Sequence, residues 1–305
     1  KCVMMNKPIV QVAIGILLNQ SKVLVGWREA KQHQGNKHEF PGGKVESGET
    51  PEQACTREVF EEVGIGIQQW HCFDLIKHEY DDIHVHLHLF HATVDAEQLQ
   101  QIQKPWTWYE RSQLKQLNFP KANDAIIARL DWLHLIKVSN QLSDLHVLSS
   151  DSLMYLRPSD EASADLILEI ENLSAEKLNH LILNIDLWKK LSPTIQKQIS
   201  AVHFKQDQLM HLSHSDRIVG LRSIAASHDL LSLDRAQQLG FDAVILSPVL
   251  HTATHQDAKP LGWEQFEILA KDANIPVFAL GGLKPDDLKM AQQHGAFGVA
   301  GVSQF

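Results

Sequence analysis

The segment that most restricts how this chain folds is a short helix-forming stretch that crowds three carboxylates onto one side. Thr50-Pro51-Glu52-Gln53 reads as a helix start, with threonine as cap, proline in the first turn and glutamine at the capping-box position. Gly64 is placed to end it. Glu58, Glu61 and Glu62 stand at relative positions zero, three and four, so their carboxylates share an arc of about 100°. Like charges so close repel unless cations share them, and hard divalent ions with oxygen ligands, Mg²⁺ or Mn²⁺, suit them. Arg57 can pair with Glu61 one turn on, while Cys55, Val59 and Val63 line the neighbouring face and anchor the helix to a sheet. A solvated acidic face is the plainer reading of such a triplet. The residues just upstream favour the metal-binding one. Phe40-Pro41-Gly42-Gly43-Lys44 forms a turn whose adjacent glycines let backbone approach metal and phosphate, and Glu49 adds a further carboxylate.

Short apolar or alternating runs at 9–16, 23–27, 75–77 and 83–92 flank this helix and read as strands. A helical stretch is expected at 123–135, followed by a polar, irregular segment at 139–152. Farther on, strand-like runs at 153–157, 181–185, 201–204, 218–223, 243–247, 276–280 and 298–302 alternate with helical patterns, the rhythm of a parallel α/β domain. At 305 residues and 44% hydrophobic, the chain is read as two domains, 7–135 and 136–305. A formal charge of −9 argues against binding a long nucleic acid. No apolar run approaches the ~20 residues that span a bilayer, so no membrane partner is expected. Cys2, Cys55 and Cys72 are too few and too irregular for a disulfide framework or a cysteine zinc site, which fits a reducing cytoplasm.

Gly43, five residues, Glu49, seven residues, then Arg57-Glu58-Val59-Phe60-Glu61-Glu62-Val63-Gly64-Ile65 closely resembles the Nudix box, with its fixed positions filled. The resemblance implies an α/β/α sandwich with a mixed sheet and a hydrolase that cuts a nucleoside diphosphate linkage with metal-activated water. It makes Glu58, Glu61 and Glu62 the metal ligands, with Glu58 also orienting the nucleophile, Arg57 in the catalytic cluster and the Gly42 carbonyl an extra ligand. Gly43, Lys44 and Arg28 fall on the phosphate side, although Arg28 also reads as an exposed surface base. Asn36-Lys37, Glu39-Phe40-Pro41 and Phe119-Pro120-Lys121-Ala122-Asn123 are similar to the MutT branch, the 8-oxo-dGTP diphosphatases. There Phe40 lines the substrate site, and Asn123 reads the purine edge through an amide that donates and accepts; helix capping is the alternative for Asn123. The branch's loop carboxylate falls where this chain reads Gln98-Leu99-Gln100-Gln101, leaving Glu97 as the nearest acid and the candidate further ligand. Ile83 stands where a basic residue is expected.

His84, His86 and His88 alternate along one strand, with His91 offset. The pattern suits either imidazole-bound zinc or a half-exposed strand with Val85, Leu87 and Leu89 facing inward, and the second is favoured because no fourth ligand is spaced for the metal. Trp106 and Trp108 read as strand packing. From residue 201 onward the sequence resembles the thiamine phosphate synthase and TenI family. The similarity rests on Val202-His203, Gln206-Asp207, Ser227-His228, Ser247-Pro248-Val249, Thr252, Thr254, Leu261-Gly262, Gly281-Gly282 and Val302-Ser303. It implies a compact (β/α) TIM-type barrel, abbreviated at its start, with Gly281, Gly282 and Ser303 cradling the phosphate of a thiamine-related ligand. Pro158-Ser159 after Arg157, Asn184-Ile185-Asp186 and His255 depart from the synthase pattern, so ligand sensing is as well supported as synthesis. Three functions follow: hydrolysis of 8-oxo-dGTP, a small-molecule nucleotide substrate; hydrolysis of thiamine diphosphate or a damaged analogue; and thiamine-phosphate binding with a secondary hydrolase.

Overall fold

A computed structural model describes residues 7–31, 35–252 and 259–305. The chain divides into two compact units. One runs to Asp131 and includes Ile218–Leu221; the other comprises Trp132–Arg217 and Arg222–Phe305.

The first unit is built on β1 (Ile9–Asn19), β2 (Lys22–Arg28), β3 (Lys37–Glu39) and β4 (Gly42–Lys44), then α1 (Pro51–Val63), β5 (His71–Glu79) and β6 (His84–Thr93). A short α2 (Ala96–Leu99), β7 (Thr107–Tyr109) and α3 (Asp124–Leu130) complete it. The sheet runs β3-β2-β1-β6-β5, with β4 beside β1 and β7 beside β2. β1 and β6 are parallel and the other pairings antiparallel, so the sheet is mixed as expected. Alternation along the strands gives the sheet two apolar faces. Ala13, Leu17, Phe90 and Ala92 pack with Cys55, Val59 and Val63 of α1. Ile16, Leu18, Leu87 and Leu89 pack with Ile126, Ile127 and Leu130 of α3. Gly15 is what lets α1 lie so close, since a Cβ there would come within 2.9 Å of Trp70 and 3.0 Å of Val59. This is the α/β/α sandwich.

In the second unit the strands are β8 (Leu135–Ser139), β9 (Ser152–Leu156), β10 (Leu181–Asn184), β11 (Ala201–Phe204), β12 (Ser223–Ser227), β13 (Ala243–Leu246), β14 (Val277–Leu280) and β15 (Gly298–Gly301). Among the described residues these strands pair in parallel and close into a barrel through β15 and β8. Ile136, Leu153, Tyr155, Ile182, Ile224, Ile245 and Phe278 fill its interior, the layered side-chain core of a TIM-type barrel. The abbreviation expected at the start lies in the first connection: between β8 and β9 the chain makes only the 3₁₀ turn Leu142–His146.

Three local expectations are corrected. The helix expected at 123–135 ends at Leu130, and Leu135 opens the first barrel strand. The 139–152 segment, read as irregular, lies within the barrel, where Leu142 and Leu145 are buried. The strand expected at 218–223 is displaced to Ser223–Ser227, because Gly220 takes a left-handed turn at φ 80° and Ile218 and Val219 stay exposed. The true strand, Ser-Ile-Ala-Ala-Ser, carries little apolar bulk, so pattern reading favoured its neighbour.

Candidate active site and barrel cavity

The cap at Thr50 accepts the Gln53 N–H and Gln53 returns the bond, which fixes where α1 begins and therefore which residues face β4. Arg57 sits at the centre of the acidic cluster. Its guanidinium donates to Glu49 at 2.7 and 3.2 Å, to Glu58 at 2.8 Å and to the Lys44 carbonyl at 3.1 Å. The expected pairing with Glu61 is there at 3.5 Å, but it is the longest of these contacts. These bonds hold the Arg57 proton more firmly still and keep Glu49 below the usual carboxylate range. Gly43 faces Glu58 so closely that a Cβ there would stand 2.2 Å from the carboxylate.

Glu62 accepts the Gly42 N–H at 3.0 Å. As a residue it is exposed, yet protein packed around its carboxyl desolvates it. With the like charges of Glu39 and Glu58, and against the Gly42 bond and Arg28, this pushes Glu62 up to about 7. Among the described residues no three His, Cys, Asp or Glu side chains surround a common point as a preformed metal site would require. The donors still fit a hard cation. Glu58 and Glu62 bring carboxylate oxygens against the Gly42-Gly43 backbone, and a carboxyl whose charged form is disfavoured by desolvation and then by neighbouring negative charge is one a cation would relieve.

Around this cluster Arg28 is paired with Glu39 at 2.7 Å, so it is not the lone surface base that its sequence context also allowed. The aromatic wall is Phe40 stacked on Phe119 at 5.0 Å. Asn123 is buried at the start of α3 and makes no side-chain cap bond among the described residues. Glu97 stands exposed in the first turn of α2. Lys44 is exposed at the end of β4. Leu87 and Leu89 are buried beneath the histidine strand while His88 Nε2 meets Gln11 at 2.8 Å, and Trp106 and Trp108 join the α1-side core. Sequence reading missed Glu39 and the grip of Glu49 on Arg57; both lie within the motif quoted above, but nothing in their spacing shows whom they pair with.

In the second unit a cavity of about 1120 Å³ opens where the barrel strands end. Its described lining carries Arg157, Lys205, Lys259 and Lys284 against Asp207 and Asp287, a cationic excess in an acidic protein. Gly281 (φ 120°) and Gly282 (φ 68°) lie in it with Ser303, and a Cβ at either glycine would come within about 2.9 Å of the 248–251 backbone. At the floor His203 stacks on Tyr155 at 4.1 Å. Complete burial, helped by the positive charges of Arg157 and Lys205, lowers His203 to about 3, so it is neutral at physiological pH. Asn184 caps the turn at Asp186 and bonds Gln208 at 2.8 Å. Thr254 and His255 lie outside the described residues.

The NUDIX domain family matches residues 13–129. The 8-oxo-dGTP diphosphatase of Escherichia coli (strain K12) is 39% identical over 125 residues, 40% of this chain and 97% of that protein. This chain belongs to the Nudix family. Behind its Nudix unit, the thiamine monophosphate synthase family matches residues 158–305. A putative thiamine-phosphate synthase of Aquifex aeolicus (strain VF5) is 38% identical over 80 residues, 26% of this chain and 43% of that protein. A thiamine-phosphate synthase of Prochlorococcus marinus (strain AS9601) is 31% identical over 139 residues, 45% of this chain and 38% of that protein. This Nudix protein therefore spans less than half the length of the synthases it matches.

Proposed function

We propose that the Nudix unit hydrolyses 8-oxo-dGTP to 8-oxo-dGMP and pyrophosphate, removing a damaged precursor from the nucleotide pool. One arrangement carries this reading: the Arg57-gripped carboxylates of α1 lie against the Gly42-Gly43 backbone, with the Phe40–Phe119 stack and a buried, uncapped Asn123 in the same unit. Glu58, Glu61, Glu62 and the Gly42 carbonyl, with Glu97 as a further donor, would hold Mg²⁺ or Mn²⁺, which would neutralise phosphate charge and acidify water. Arg57 holds Glu58 in the orientation that suits it to align the attacking water. Lys44, Gly43 and the Arg28–Glu39 pair face phosphate, and Asn123 reads the purine with one donor and one acceptor. Relatives named 8-oxo-dGTP diphosphatase support the purine substrate. Among the described residues no helix is long and apolar enough to cross a membrane, and a cytoplasmic site of action belongs to the same proposal.

The cationic cavity supports a second role, in which the barrel binds a thiamine-related phosphate on Gly281, Gly282 and Ser303 as a sensor or auxiliary site. We assign the two roles to residues 7–135 and 136–305. The deciding experiment measures Mg²⁺-dependent turnover of 8-oxo-dGTP, dGTP and thiamine diphosphate side by side, with Glu61→Gln as control. Preference for 8-oxo-dGTP is expected. Preference for thiamine diphosphate would transfer the hydrolase to the barrel's chemistry and remove Asn123 as a purine reader.

A further inference from the structure

His38 and Asn118 belong to neither the Nudix box nor the aromatic pair, yet they join the two segments that carry the purine-reading residues. His38 lies on β3 opposite Trp27 of β2. Its backbone N–H donates to the Asn118 carbonyl at 2.8 Å, and the Asn118 N–H donates to His38 Nδ1 at 3.0 Å, a reciprocal pair between residues 80 apart in sequence. With Nδ1 accepting, the neutral ring carries its proton on Nε2. The Asn118 side-chain amide donates in turn to the Asn36 carbonyl at 2.7 Å, and Asn36 holds the left-handed backbone at φ 60° that turns the chain into β3. The His38 ring sits 5.9 Å from Phe119, whose ring stacks on Phe40. Just beyond Asn118 the Asn123 N–H closes on the Pro120 carbonyl at 2.9 Å, so little slack separates the tie from the purine reader.

We propose that His38 is a positioning residue for purine recognition: by accepting the Asn118 N–H on Nδ1 it fixes the 118–123 turn, and with it Phe119 and the carboxamide of Asn123. This rests on the reading of Asn123 as the purine-reading residue. A histidine that merely closed the edge of β3 would be replaceable by any ring of similar bulk. A positioning histidine is replaceable by a side chain with an acceptor where Nδ1 stood.

His38→Phe keeps the ring and loses the acceptor; His38→Asn places a carboxamide oxygen near the Nδ1 position; His38→Gln places it farther out, near Nε2. Kinetics with 8-oxo-dGTP and dGTP, and backbone amide exchange at Asn118 and Phe119 in the ligand-free full-length protein, are measured for all three. His38→Phe and His38→Gln are expected to raise KM about fivefold with kcat nearly constant, to narrow the preference for 8-oxo-dGTP, and to speed amide exchange at Asn118 by a similar factor. His38→Asn is expected to restore most of each loss. Should His38→Phe fail to fold, the Asn and Gln pair carries the same comparison. The proposal is overturned if the acceptor-free variants keep the parent KM and exchange rates, or if kcat falls while KM stands. If the parent protein hydrolyses neither purine nucleotide, purine recognition falls with the substrate reading, and the exchange data decide separately whether the tie holds the turn.

Discussion

The Nudix unit and the barrel gather charge in opposite ways. In the Nudix unit the chemistry is concentrated on one helix and the turn before it, and negative side chains crowd together around Arg57. In the barrel the polar groups that line the cavity come one or two at a time from the ends of many strands, with cations in excess over Asp207 and Asp287. The first is a site that recruits positive charge; the second offers it. On the proposed reading the Nudix unit would depend on each carboxylate, whereas the barrel would depend more on backbone shape at Gly281 and Gly282 than on any one lysine.

Glu61→Gln tests that difference most strongly. It should lower Mg²⁺-dependent turnover about a hundredfold or more while phosphate binding by the barrel, followed by calorimetry, stays at the parent level. Equal loss in both would mean that the two sites are not separate. The converse substitution, Gly281→Val, forces a side chain into backbone at 2.8 Å and a left-handed φ. It should weaken phosphate binding by about tenfold or more and leave turnover intact, whereas Lys284→Ala should cost the barrel only a few-fold.

A third test separates the units by pH. His203 is neutral in the folded barrel down to about 3, whereas in the unfolded chain it titrates near 6.5. Between those values the unfolded state binds the extra proton, so barrel stability present above pH 6.5 is lost as pH falls toward 3. At pH 5 the loss from this group is about 2 kcal/mol, and His203→Gln should flatten that part of the stability profile measured by urea unfolding. An unchanged profile would place the charged ring within reach of water.

The two units also differ in how much of them could be read from the residues. α1 was legible to its ends, because Thr50, Gln53 and Gly64 each act within one turn of the chain. The strands of the first unit followed from apolar and alternating runs and their mixed sheet from the Nudix resemblance, although β5 extends well beyond the short run 75–77: its alternation is obscured by Asp74 and by the register shift between Cys72 and Asp74. The barrel's rhythm was legible, but its first strand, Leu-Ile-Lys-Val-Ser, merged with the end of the preceding helical pattern, and β12 was hidden behind the more apolar Ile218-Val219, because a strand lined with Ser and Ala fills a barrel without announcing it. Pairing was the least legible property. That Arg57 would grip Glu49 and Glu58 more closely than Glu61, or that Arg28 would be taken by Glu39, depends on where β3 and β4 pass α1, which no local spacing encodes.

The smallest effect sharpens the comparison most, because the same kind of change is made in both units. Thr50→Ala removes the side-chain acceptor of the Gln53 N–H at the start of α1; Asp229→Ala removes the acceptor of the Ser232 N–H, at 2.8 Å, at the start of the barrel helix Leu230–Gln238. Each cap contributes about 1 kcal/mol, so the two variants should lose similar stability in thermal unfolding. Their effects on turnover should diverge. The α1 cap sets the register of the helix that carries Arg57, Glu58, Glu61 and Glu62, and fraying there loosens the carboxylates against Gly42 and Gly43, so turnover by Thr50→Ala should fall about twofold to threefold with raised Mg²⁺ demand. Asp229→Ala should turn over substrate at the parent rate. If it slows hydrolysis as much as Thr50→Ala does, the loss reflects stability shared by the whole chain, and the acidic helix has no special dependence on its cap.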